Sequence, residues 1–173
     1  MRDVSVSTVI TPHGVGPVVG FRQWVVVGDE IYSPLARTAW GYEPIEAECL
    51  ARCRAAGGLW RRATEHGGPA PNPECVCGIY ALFTPETLSR RDRLSRVSGA
   101  VVVWGRLEVH EAGMRAQFAR IVALALPGGR HRGPDRMVSG LAERLGVQAV
   151  SARHVEAAAL AHGDPLPAVL VPG

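Results

Sequence analysis

The chain has 173 residues, 47% hydrophobic and 20% charged, which is enough for one globular domain with a sizeable core. All nineteen basic residues are arginine, so Schiff-base, phosphate-loop and kinase-type lysines are excluded, and with them the nucleotide and pyridoxal-type cofactors that such lysines serve. The formal charge of +3 is a weak attraction for polyanions, and apolar runs such as Ile121 to Leu126 are too short to span a bilayer.

Residues 1–20 carry Asp3 and are broken by Pro12, Gly14, Gly16 and Pro17, a pattern that predicts a loose leader and neither a charged amino-terminal region nor a continuous signal core. A cytoplasmic location follows as the expectation, and there four cysteines favour metal or thiol chemistry over a disulfide scaffold. The arginine-only basic set, with abundant Ala, Gly, Pro and Val, reads as the codon bias of a GC-rich genome.

The domain is expected over residues 21–173. From Phe21 to Leu35, the runs FRQWVVV and EIYSPL flank Gly28-Asp29 and predict a hairpin. Pro44 suits the first turn of a helix through IEAECLARCRAA, stopped at Gly57-Gly58, with Cys49 and Cys53 on one face at i and i+4. Residues 57–74 form a loop rich in glycine and proline. In CVCGIYALF, alternation turns Cys75, Cys77 and Ile79 to one side and Val76 and Tyr80 to the other. After a short helix through Glu86 to Leu94, GAVVVWGRLEVH and MRAQFARIVALAL predict a long hairpin turning at Glu111, Ala112 and Gly113.

From Pro134 the spacing of Met137, Leu141, Ala142 and Leu145 predicts a helix ended by Gly146; VQAV is a short strand, and Ser151 opens a last helix. The fold class is α+β: an antiparallel or barrel-like central sheet, an inserted helix, and an α-helical tail over 134–173 packed on it.

All four cysteines fall between Cys49 and Cys77. Structural zinc takes four ligands in a tetrahedron, commonly three thiolates and an imidazole. The preferred set is Cys49, His66, Cys75 and Cys77, with the strand bending at Gly78 so that both sulfurs of the CxC pair face one ion; Cys53 is left as a core thiol. Zinc is preferred to iron–sulfur because Cys₃His is a common zinc set. The same thiols also suit a reduced core, since free cysteine packs as a small hydrophobe.

A competing reading makes Cys75 or Cys77 a nucleophile with His66 or His110 as its base, His110 having Arg115 nearby to hold an anion. A third is nucleic-acid binding through Arg90, Arg91, Arg93 and Arg96, or through Arg130, Arg132 and Arg136. The four tryptophans form no regular stripe and read as core anchors, and GxSxG, HExxH and GxGxxG are absent.

The stretches WGYEPIEAEC, HGGPAPNPECVCGIYA and VVWGRLEVHEAGMRAQFA resemble a group of uncharacterised bacterial, mainly actinobacterial, proteins with elements HxxPxxxCxCGIYA and WGxVxxHxxGYRAxxA. The resemblance covers roughly residues 21–165 and singles out Cys49, His66, Cys75, Cys77, His110, Gly113 and Arg115; Met114 departs from the group's tyrosine. It implies a choice of residues and no reaction. Together these readings give a metal-binding accessory or binding module, its zinc structural, with a protein or small molecule as partner.

Overall fold

The computed structural model describes residues 16–34, 38–49, 52–54, 60–62, 68–73, 75–85, 96–128 and 132–171. Strand β1 (Val18–Val27) turns at Gly28-Asp29 into β2 (Glu30–Tyr32), with Val25 opposite Tyr32, as the alternating runs on either side of the turn predict. A further short strand, β3 (Ala39–Trp40), adds to β2.

Three more short strands follow, β4 (Ile45–Glu46), β5 (Arg52–Arg54) and β6 (Trp60–Arg62), and then β7 (Ile79–Leu82). The expected inserted helix over residues 44–56 is therefore corrected: its described parts are extended. Strand β4 pairs with β9, and β5 and β6 form a separate two-stranded ribbon in which Cys53 stands opposite Arg61. Cys49 and Cys53 do not share a helix face. The predicted helix over Glu86 to Leu94 lies outside the described residues.

The long hairpin is the frame of the molecule. Strands β8 (Arg96–Val109) and β9 (Gly113–Leu126) pair antiparallel along most of their length, and Glu111-Ala112 turns the chain where the sequence placed it. On its other edge β9 takes β7, then β4, then the parallel strand β10 (Gln148–Ser151). Strand β8 takes β1 on its outer edge, and β1 meets β7 at Phe21 opposite Leu82, so β1, β8, β9 and β7 form an uneven ring.

Helices cover both faces. In α1 (Arg132–Arg144) the 3.6-residue period turns Val138, Leu141 and Ala142 to a core shared with Trp24, Ile31, Val101, Leu107 and Leu124. Each such buried Val or Leu contributes roughly 2 kcal/mol. The helix ends in a Schellman motif, Gly146 N–H donating to Glu143 O and Val147 N–H to Ala142 O. Helix α2 (Val155–Leu160) sets Val155 and Ala159 against Val19, Phe21, Ala100, Val102 and Val122 on the opposite face. No helix among the described residues is long and apolar enough to cross a membrane.

Where β9 leaves its turn it runs so close to β7 that a Cβ on Gly113 would stand 2.3 Å from the Ala81 carbonyl oxygen. Backbone cannot swing aside as a side chain can. Gly113→Ala is expected to lower stability by about 1–3 kcal/mol, as overpacking does. In contrast, Gly140 lies within α1 with nothing near its added Cβ, and Gly140→Ala is expected to gain up to about 1 kcal/mol. Urea unfolding midpoints of the two variants check both signs.

Candidate metal centre

Three of the four predicted ligands come together. The sulfurs of Cys49, Cys75 and Cys77 all lie within 4.8 Å of one another, and Cys49 Sγ is 3.8 Å from Cys75 Sγ. Tetrahedral zinc with Zn–S bonds of about 2.3 Å separates its sulfurs by about 3.8 Å. Cys75 and Cys77 are buried and Cys49 is partly buried, in a small cluster with Ala47 and Ala70. His66, the fourth expected ligand, lies outside the described residues.

Strand pairing delivers each cysteine. Ile45 opposite Ala119, then Ala47 N–H donating to Gln117 O at 2.7 Å, hold the segment that ends in Cys49 along β9. On the other side, Cys75 N–H donates to Asn72 O at 2.9 Å and closes a turn before the CVC segment, and the Asn72 N–H donates to the Cys77 sulfur. Gly78 then bends the chain into β7. Its φ is +119°, a conformation that side chains rarely adopt, and its Cα faces Pro71 and Arg115 so closely that a Cβ would stand 3.1 Å from each. The predicted alternation holds, with Cys75, Cys77 and Ile79 buried and Val76 and Tyr80 exposed.

Arg115 lies beneath this segment. It is 4% exposed, and its Nη1 donates to the carbonyl oxygens of Cys75 and Cys77, the latter at 2.9 Å. Its Nη2 pairs with Oε1 of Glu108, itself 2% exposed and directly opposite Arg115 in the β8–β9 register. The Tyr80 ring closes one side, 5.9 Å from the guanidinium carbon, and its hydroxyl donates to Val76 O at 2.9 Å. Burial opposes the Arg115 charge, yet the Glu108 carboxylate outweighs burial and holds the guanidinium above its ordinary value.

His110 joins the other end of the network. Its Nε2 stands 3.3 Å from Glu108 Oε1, within ion-pair distance but without the alignment of a hydrogen bond. Burial lowers its pKa against the pull of Glu108, with Arg115 adding to the lowering, so the imidazole is neutral near pH 7. The residues of the nucleophile reading are thus connected through Glu108, but Arg115 reaches the carbonyls of the cysteines. Burial, with the neighbouring sulfurs of Cys75 and Cys49, pushes the Cys77 thiol up to about 12, opposite to the low-pKa thiolate a nucleophile needs. Of the basic clusters, Arg90, Arg91, Arg93 and Arg130 lie outside the described residues, and Arg136 is exposed on α1.

Glu108 is the residue that sequence reading missed. In LEVH it alternates with Leu107 and Val109 as an outward residue of a half-exposed strand would. The available signal was register: with Glu111-Ala112 as the turn, Glu108 and Arg115 are opposite each other, a favourable cross-strand charge pair.

Removing one partner of a buried ion pair strands the other charge. Arg115→Met and Glu108→Gln are each expected to cost about 3–5 kcal/mol. The double variant should recover part of the summed loss, and a double-mutant cycle from denaturant unfolding measures that coupling.

No family model, curated protein or solved structure matches this chain.

Proposed function

We propose that the protein is a metal-stabilised binding or accessory module in which Cys49, Cys75 and Cys77, with His66 as the fourth ligand, hold a structural zinc ion. The observation that carries this reading is the convergence of three sulfurs from two separate segments within 4.8 Å of one another, the Cys49–Cys75 pair at 3.8 Å, the separation in a tetrahedral zinc site. The donor set fits the ion: soft thiolates select zinc over the hard cations that prefer oxygen.

Electrostatics supports the same reading. In the metal-free protein burial, and after it the sulfurs of Cys75 and Cys49, keep the proton on the Cys77 thiol. A divalent cation reverses that balance. When bound, zinc would tie the Cys49 segment to the CVC segment, and four protein ligands would leave no position for a substrate. The Asn72 N–H donated to Cys77 Sγ and the Arg115 bonds behind both carbonyls hold the thiol pair in place before the ion arrives.

Purified protein should carry about one zinc per chain by elemental analysis. Cys77→Ala and Cys49→Ala should lose it, while Cys53→Ala should keep it; zinc-free wild-type protein, purified without chelator, would sink the reading. Arg115→Lys, which keeps the charge but not the planar fork, should weaken zinc about 10–100-fold. Because the Cys77 thiol at about 12 is protonated at neutral pH, binding must expel its proton, so affinity should rise with pH. Titration calorimetry in buffers of different ionisation enthalpy reads that proton directly, and a buffer-independent heat would contradict it.

A further inference from the structure

Arg22 is buried with no counter-charge among the described residues. It sits on β1 opposite Gly99 of β8, 9% exposed, on the face of β1 that also carries Trp24. Its guanidinium carbon lies 4.5 Å from the centre of the Trp40 ring and 5.6 Å from that of Trp24, and the two indoles meet edge to face at 5.4 Å. Nη2 donates to Ser33 Oγ at 3.2 Å, and Trp40 Nε1 donates to the same oxygen at 2.8 Å.

Ser33 therefore already accepts two hydrogen bonds. Of the five N–H groups of the guanidinium, Nε–H is buried with no acceptor among the described residues, and the Trp24 Nε1–H is buried with none there either. Among the described residues no carboxylate lies within ion-pair distance: Glu108 serves Arg115 and His110, Asp29 faces Arg144, and Glu30 accepts from Tyr32 on the surface.

An isolated charge in such a setting is costly, and the π faces of two indoles offset only part of the cost. Desolvation lowers the pKa of Arg22 to about 9, whereas that of Arg115, paired with the Glu108 carboxylate, is raised. Two buried N–H donors and a positive charge with no carboxylate beside it among the described residues make a donor site for an anion.

We infer that Arg22, Trp24, Trp40 and Ser33 form a binding site for the carboxylate group of a small molecule, separate from the cysteine cluster. A carboxylate matches in charge, because one guanidinium neutralises one monoanion and leaves a phosphate dianion half unpaired. It matches in shape, because two coplanar oxygens accept from the planar guanidinium fork. Arg22 keeps 9% of its surface and Trp40 5%, so only a group as small as a carboxylate could reach the guanidinium.

The test uses the full chain and tryptophan fluorescence, with sodium acetate and sodium benzoate as probes against sodium chloride and inorganic phosphate at matched ionic strength. Acetate or benzoate should give a saturable change and raise the thermal midpoint; chloride should give neither, and phosphate should bind at least about tenfold more weakly. Arg22→Met should abolish the response. Arg22→Lys keeps the charge in the cage without the fork, serves as the variant should Arg22→Met not fold, and should weaken the carboxylate about tenfold or more. Zinc content should be unchanged in both, so this proposal and the metal reading fail separately. No saturable response in the wild-type protein, a response the variants retain in full, or tighter binding of phosphate than of either carboxylate would each overturn the inference.

Discussion

The site rests on one cross-strand pair. Glu108 and Arg115 stand opposite each other near the turn of the β8–β9 hairpin, and both are buried. Burying two charges costs free energy that their attraction roughly repays, so the pair is not a large source of stability by itself. What it supplies is position. A hairpin shifted by one residue would turn every side chain to the other face and leave both charges unpaired, so the pair penalises every register but one. The guanidinium so fixed has donors to spare, and the carbonyls of Cys75 and Cys77 take them. A charge pair on the β8–β9 hairpin thereby helps to set the conformation of the CVC segment.

Strand β9 organises the rest. One edge belongs to β8, and the other is shared in sequence by β7, β4 and β10. Because β4 and β7 dock beside each other on that edge, the segments that follow β4 and precede β7 leave the sheet side by side. Cys49 lies on the first and the CVC pair on the second. Convergence of the three sulfurs is thus a consequence of strand order, and Gly78, pressed between Pro71 and Arg115, sets the bend that points both CVC thiols inward.

Much of the frame was legible in the sequence because single periodicities dominated: GAVVVWGRLEVH and MRAQFARIVALAL with their turn, Gly28-Asp29 between two alternating runs, and the helical spacing before Gly146. The segment after Pro44 was not. IEAECLARCRAA has the composition of a good helix former, yet Ile45, Ala47 and Cys49 also alternate with Glu46 and Glu48, the period of a strand. Local propensity is a weak prior, and the edge of β9 between β7 and β10 offered backbone partners that a helix there would have left unpaired. The convergence of Cys49 with Cys75 and Cys77 needs no helix, only β4 beside β7 on the edge of β9. Glu108 and Arg22 stayed hidden for a common reason: a charged residue in an alternating strand reads as exposed, and only its neighbours across the sheet reveal a buried role.

Those two buried arginines make a controlled comparison within one molecule. Both are on strands of the same ring, both are nearly inaccessible, and both lie against aromatic rings. They differ in what opposes the charge. Arg115 has a carboxylate and two carbonyl oxygens and is stabilised as a cation, while Arg22 has a serine hydroxyl already shared with Trp40, and burial draws its pKa down to about 9. Around Arg115 the acceptors balance the charge, and at Arg22, where no carboxylate stands among the described residues, binding an anion from solution gains most.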